Sequence, residues 1–240
     1  MNIDFTAWAG LLLRWFHVMA GIMWIGTSFY YIWLQNALKP PKPGSQEEKD
    51  GVAGDVWAVH GGGFFYKRKY QVAPDHMPDD LHWFKWEAYL TWISGMLLLG
   101  LVYYYGAHLY LIDNAKMPMG RLDASLIGLA FIAGGWVFYD TLCKTKIGSN
   151  NALFGIIWFA ALTTAAYAMS LVFTGRGMFI HIGAMVGTVM AVNVFAIIIP
   201  NQKKTVASLL AHEKPDPRLG KKAAQRSLHN NYMTLPVILI

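Results

Sequence analysis

Residues 11–34 read LLLRWFHVMAGIMWIGTSFYYIWL, an apolar run that is long enough to cross a bilayer as one helix. Similar runs recur along the 240 residues, of which 55% are hydrophobic and only 14% charged. This composition excludes an ordinary soluble domain and is typical of a membrane protein with several spans. The sequence therefore predicts an all-α fold, a polytopic bundle of transmembrane helices in a lipid bilayer.

Five full spans and the beginning of a sixth can be identified, so that residues 1–240 form one transmembrane domain. The sixth helix is predicted to begin near Ser227 and to be cut off at Ile240, which leaves out any domain after residue 240. Two polar loops, residues 35–82 and 201–226, follow the first and fifth spans. The five full spans cover about residues 8–34, 83–105, 124–142, 153–173 and 179–199, and we expect Pro200 to end the last.

Basic residues are distributed unequally between the two sides of the membrane. The loops after spans one, three and five, with Lys85 at the start of span two, hold sixteen of the 20 Lys and Arg residues. The opposite loops hold Lys116, Arg121 and Arg176. Because basic loops stay in the cytoplasm, the amino terminus is predicted to lie outside. This distribution accounts for the net charge of +6 without a nucleic-acid partner.

Span one contains two ionisable residues, Arg14 and His17, in an environment where such residues generally have a function. At about 100° per residue, His17, Gly21 and Trp24 lie on one face of the helix. An imidazole beside a glycine gap and a flat aromatic ring predicts a haem b site, with His17 as an axial ligand and Arg14 bound to a propionate. The alternative is a buried histidine that bonds a neighbouring helix, with Arg14 extended to the interface.

A second axial ligand has to come from a facing helix at a similar depth. His181, in the first turns of span five, is the best match to His17, and Gly183 and Gly187 allow a close approach. Arg176 is then the second propionate ligand. The alternative for His181 is contact with lipid headgroups, and His108 is the reserve ligand.

A glycine-rich segment lies in the first cytoplasmic loop. Three consecutive glycines let backbone N–H groups converge on an anion or a polar ring, and aromatic side chains beside them can stack on it. The alternative is a tight turn in an interfacial segment. The predicted binding residues are Trp57, Gly61, Gly62, Gly63 and Tyr66. Glu87, one turn into span two beside Lys85, either forms a structural pair or lines a cavity that faces the cytoplasm, and Asp140 in span three has the same two interpretations.

Four motifs resemble one family. HVMAGIMWIG (17–26), VHGGGFFYKRKY (59–70), LHWFKWEAYLTWISG (81–95) and RSLHNNYMTLPV (226–237) are similar to the membrane domain of the bacterial membrane-bound urate oxidase (urate hydroxylase) family. The resemblance covers the whole chain. It implies an inner-membrane protein that oxidises urate and passes electrons to a cytochrome c. The family's carboxy-terminal cytochrome c domain, with its haem c, is not expected within residues 1–240, because no Cys-x-x-Cys-His occurs there.

The resemblance assigns urate, a planar monoanion, to the glycine-rich segment. His60 lies next to the glycines, and a histidine can accept a proton at physiological pH, so His60 is the predicted general base, with Glu87 as the second catalytic residue. The cytochrome c that accepts the electrons is either the family's carboxy-terminal domain or a separate protein. A membrane complex or a homo-oligomer is also compatible with the fold. Two alternatives remain: a haem-binding subunit that relays electrons or anchors a partner complex without catalysis, and a transporter of an anionic purine.

Overall fold

The computed structural model describes residues 4–240 as a bundle of long helices with one small β-hairpin. The elements, in chain order, are α1 (Phe5–Ala37), α2 (Gln46–Lys49), β1 (Val52–His60), β2 (Gly63–Tyr70), α3 (Trp86–Leu98), α4 (Ala107–Tyr110), α5 (Arg121–Lys144), α6 (Asn151–Ser170), α7 (Gly175–Val192), α8 (Ile199–Leu210) and α9 (Pro217–Leu239). Two π-helical segments, Leu99–Tyr105 and Asn193–Ile198, continue α3 and α7.

Five helical stretches are long and apolar enough to cross a membrane, and they coincide with the five runs identified in the sequence. Burial shows which of them is central. In the most apolar window of the fifth stretch, Gly175–Leu210, 56% of the residues are buried, whereas the value for α1 is 11%. The fifth stretch is therefore the core of the bundle, and α1 packs at its edge, mainly against α3.

Pro200 does not end the helix that contains the fifth span, and the prediction that it would was wrong. The helix continues through Pro200 to Leu210. Pro200 directly follows the segment Asn193–Ile198, where the wider π turn shifts the backbone hydrogen-bond pattern. Pro200 then occupies the first turn of α8, where a residue without an N–H is tolerated.

The last helix begins at Pro217, ten positions before the predicted start at Ser227. Asp216 caps it, and its carboxylate accepts hydrogen bonds from the backbone N–H and the guanidinium of Arg218. This contact lowers the pKa of Asp216 below its usual range. The early start lets α9 carry a polar first half along α8 and place its second half beside α7.

The polar segment 35–82 contains a β-hairpin that the sequence interpretation missed. Strands β1 and β2 pair antiparallel, with His60 opposite Gly63. Gly61 and Gly62 form the two-residue turn and have φ values of +57° and +79°. Positive φ at both positions is what a type I′ hairpin turn requires, and glycine adopts it without strain. The fold is thus helical apart from this one hairpin, which lies at the end of the bundle where α1 ends and α3 begins.

Candidate functional site

His17 lies in the seam between α1 and α3, where two of the recognised motifs meet. Its Nδ1 is 3.0 Å from the carbonyl oxygen of Thr91 and 3.0 Å from Ser94 Oγ. Because a carbonyl only accepts, Nδ1 carries the proton and Nε2 has a free lone pair. No hydrogen bond joins Nε2 to any residue within 4–240. A Cβ at Gly95 would lie 2.9 Å from the imidazole Cε1, so only glycine allows this approach.

His181 is fully buried among α7, α5 and the π-helical segment Leu99–Tyr105. Its Nδ1 donates to the carbonyl oxygen of Gly177 at 2.7 Å, and its Nε2 accepts from the hydroxyl of Tyr104 at 3.2 Å. The ring of Phe173 stacks on the imidazole, with centroids 5.3 Å apart. A Cβ at Gly128 would run into the imidazole. Both ring nitrogens are therefore occupied and no space is left beside them.

The structure does not bring His17 and His181 together. His17 contacts α3 at Ser94, whereas His181 contacts the same helical rod ten positions further on, at Tyr104. At 1.5 Å per residue, this is an axial offset of about 15 Å. A haem held between these two rings does not fit the packing. Of these two histidines, only His17 has a tautomer with a free ring nitrogen for a metal, and haem b stays a prediction.

The arginines predicted to bind haem propionates lie near the end of the bundle opposite the hairpin. Arg14 is exposed and extends back along α1 towards Gly10. Arg176 donates from Nε to the hydroxyl of Tyr103 at 3.0 Å, and its guanidinium lies over the ring of Tyr110. Arg176 is thus tied to an aromatic cluster. The reserve ligand His108 is exposed in α4.

The glycine-rich segment is exposed on the hairpin. Trp57 and Tyr66 are directly opposite each other in the register and stack, with centroids 4.7 Å apart. The hydroxyl of Tyr66 donates to Asp55 at 2.6 Å, which raises the pKa of Tyr66. Turn geometry explains the glycines without a ligand, and urate binding here stays a prediction. His60 ends β1, exposed, and Glu87 lies in the first turn of α3.

A buried polar cluster that the sequence interpretation missed lies between α5, the segment Asn193–Ile198 and α9. We call it the Arg226 cluster; its members are Tyr139, Asp140, Asn193, Arg226, His229 and Asn230. Arg226 is 4% exposed and donates from Nη2 to Asp140 at 2.7 Å. Lys144, one turn further along α5, also pairs with Asp140.

The hydrogen-bond directions in the Arg226 cluster follow from one donor that cannot accept. Nη1 of Arg226 faces the side-chain oxygen of Asn193 at 3.4 Å, so the amide nitrogen of Asn193 points away and donates to the Tyr139 hydroxyl at 2.9 Å. Tyr139 then donates its own proton to His229 Nδ1 at 2.9 Å. The remaining proton of a neutral His229 is consequently on Nε2.

His229 Nε2 is buried and has no hydrogen-bond partner among residues 4–240. Phe154 stacks on the other side of the same imidazole at 4.1 Å. An unpaired buried donor costs roughly 1–3 kcal/mol. The contacts within the described residues therefore do not explain the N–H at Nε2 of His229.

Part of this cluster was detectable in the sequence. Arg226, His229 and Asn230 have the i, i+3, i+4 spacing of one helix face, and they lie in the RSLHNNYMTLPV motif. Asp140 was recognised as an acid inside a span. Their pairing was not detectable, because Asp140 and Arg226 are 86 positions apart.

The five apolar spans and the buried polar groups between them define a helical multi-span membrane protein. A family model described as Urate oxidase N-terminal matches residues 4–240. The chain therefore belongs to the family of urate oxidase amino-terminal membrane domains. Searches of curated proteins and of solved structures found no match.

Proposed function

We propose that this chain is the membrane part of an oxidoreductase that oxidises urate and passes the electrons through haem to a cytochrome c. Urate as substrate is supported by the family to which residues 4–240 belong. The observation that carries the redox part is the free Nε2 of His17, fixed by the bond between Nδ1 and the Thr91 carbonyl.

Haem b is assigned to His17 in this proposal. A bound haem would supply one-electron transfer between substrate and cytochrome c. His17 contributes a ring nitrogen whose tautomer is set by a backbone carbonyl, a common arrangement for metal-binding histidines. The second ligand remains open, since His181 uses both nitrogens within the bundle. Arg14 is the residue nearest in sequence that can pair with a propionate.

Urate is assigned to the cytoplasmic side of a bacterial inner membrane, with the amino terminus outside. The hairpin offers an exposed aromatic pair, Trp57 and Tyr66, next to the basic residues of β2. His60 is the general base in this proposal, and Glu87 is the second catalytic residue. A reporter fused at Gly148 should lie in the cytoplasm, and one at Lys116 should lie outside. The reverse result would contradict this orientation.

The absorption spectrum of the purified full-length protein tests the haem assignment. We expect a Soret band that His17→Ala removes or strongly shifts, while the matched variant His108→Ala leaves it unchanged. An unchanged spectrum in His17→Ala would refute His17 as ligand. Substrate turnover provides the second test. His60→Gln should lower urate oxidation by roughly 10²–10⁴-fold and leave the spectrum intact.

A haem-carrying relay without catalysis of its own is the second candidate function. It is favoured by the hairpin, because turn geometry accounts for Gly61 and Gly62 without a substrate. Addition of urate to the oxidised protein separates the two functions. Reduction of the haem by urate supports the enzyme, and its absence supports the relay.

A further inference from the structure

A groove of about 810 Å³ runs between α6 and α9, beside the Arg226 cluster. It extends along α6 from Asn151 to Ala160, which is about 14 Å of helix and less than half of the ~30 Å hydrocarbon thickness. Ile156 and Phe159 on its wall are 67% and 72% exposed. Because these side chains lie on an apolar span, the groove opens sideways into the bilayer.

Two buried nitrogens without partners belong to residues that line this groove. They are Nε2 of His229 and Nε1 of Trp158, and both residues are more than nine-tenths buried. An indole nitrogen is always a donor, and the bond from Tyr139 to Nδ1 makes Nε2 of His229 a donor too. Two residues of the groove wall therefore carry buried N–H donors that lack acceptors within the described residues.

The remaining wall is uncharged and mostly apolar, with polar groups only on Asn151 and Tyr232. Neither Lys nor Arg, nor Asp or Glu, is among the residues that line the groove. A urate anion would lose its hydration there without a counter-charge, which is costly, and its own N–H groups would find few acceptors. A neutral ligand with two carbonyl oxygens and an apolar remainder satisfies the donors and the wall together.

We propose that the groove between α6 and α9 binds the head group of a membrane quinone, a flat, neutral ring with two carbonyl oxygens and an isoprenoid tail. The carbonyl oxygens accept from His229 Nε2 and Trp158 Nε1, and the tail leaves between Ile156 and Phe159 into the lipid. Neighbouring side chains cover both nitrogens, so entry requires a small rotation of a wall residue, and the 68% exposed Tyr232 is free to rotate.

Binding of decylubiquinone to the full-length protein tests this proposal without an activity measurement. The protein is placed in phosphatidylcholine bilayer discs prepared without quinone. Gly155 lines the groove, and a Cβ at this position would meet no atom within 4 Å, so Gly155→Leu directs a larger side chain into the groove from an uncrowded position. Gly134, on the outer side of α5, is equally open and lines a different groove, which makes Gly134→Leu the matched control.

We expect saturable binding of decylubiquinone to the unchanged protein and to Gly134→Leu, and at least tenfold weaker binding to Gly155→Leu. Trp158→Phe and His229→Phe each remove one donor and should weaken binding about tenfold, whereas Trp86→Phe, at the exposed start of α3, should not. Decylbenzene has the same tail without the carbonyls and should bind at least tenfold more weakly.

Four results would overturn the proposal. The first is an absence of saturable binding to the full-length protein. The second is equal binding to Gly155→Leu and Gly134→Leu, and the third is equal binding of decylbenzene and decylubiquinone. Displacement of decylubiquinone by urate would identify the groove as a purine site and would also overturn it.

Discussion

His181 and His229 lie at opposite ends of the bundle with the same kinds of neighbours. Each imidazole contacts a tyrosine hydroxyl, Tyr104 in one case and Tyr139 in the other. Each also stacks on a phenylalanine. The difference is one backbone carbonyl: His181 Nδ1 donates to Gly177, whereas His229 has no such acceptor within residues 4–240 and keeps an unpaired Nε2.

This difference separates a structural histidine from one that is available for a ligand. At His181 every polar atom of the ring is used, so the residue joins α7 to the end of the second span. At His229 the hydrogen-bond chain from Arg226 ends in a donor that faces no acceptor in the described part of the chain. Two similar sets of residue types thus have different uses, and only the direction of the hydrogen bonds distinguishes them.

Arg226 should produce the largest effect on stability, because it begins this chain. Arg226→Met removes a buried cation and leaves the Asp140 carboxylate with only Lys144. We expect a loss of about 3–5 kcal/mol in the free energy of unfolding, measured by denaturant titration in detergent. Arg218→Met, at an exposed pair with Asp216, is the control and should leave it nearly unchanged, because solvent screens exposed ion pairs. Equal effects of both variants would show that the cluster does not order the core.

Removing the tyrosine hydroxyl beside each histidine tests the difference between His229 and His181 directly. Tyr139→Phe leaves His229 Nδ1 and one N–H of Asn193 without partners, at roughly 1–3 kcal/mol for each orphaned group. Tyr104→Phe leaves only His181 Nε2 unpaired and should cost about half as much. Unfolding of the two variants under identical conditions measures the difference. A larger loss in Tyr104→Phe would reverse the roles assigned to the two histidines.

A smaller loss in the free energy of unfolding is expected when the close packing around His181 is disturbed. Gly128→Ala places a methyl group against the imidazole and should cost about 1–3 kcal/mol by overpacking. Gly134→Ala is on the same helix in open space and should be neutral or stabilise by up to about 1 kcal/mol, because alanine favours a helix. If both variants unfold alike, His181 is not packed as described.

The spans were predictable because hydropathy over about twenty residues depends only on local sequence. The start of α9 was also within reach, since Asp216-Pro217 is a typical cap followed by proline in the first turn. The continuation through Pro200 depends on a π turn, which no local pattern indicated. The Arg226 cluster depends on contacts between distant segments, so residue spacing suggested one helix face and nothing about its partners.

The hairpin was the local feature most open to prediction and was missed. Gly61-Gly62 between strand-forming residues such as Val59 and Phe64 is a strong signal for a two-residue hairpin turn. For the glycine triplet the sequence interpretation left two possibilities, an anion-binding loop and a tight turn in an interfacial segment, and it predicted neither of the two strands. Both interpretations use the same property of glycine, its freedom of φ, and the difference lies in whether the backbone N–H groups face a ligand or the opposite strand.

The smallest expected change in stability comes from Gly62→Ala, which tests whether the glycines only form the hairpin turn or also bind a ligand. Gly62→Ala forces a left-handed φ on a residue with a Cβ and should cost about 1–2 kcal/mol within the hairpin, seen as faster amide exchange in β1 and β2. Because the hairpin is exposed and none of its hydrogen bonds involves the Arg226 cluster, the unfolding of the bundle should stay unchanged. A purely structural turn predicts that urate oxidation also stays near the original rate. If turnover or urate affinity falls more than about tenfold in Gly62→Ala while the bundle remains intact, the hairpin contacts the substrate.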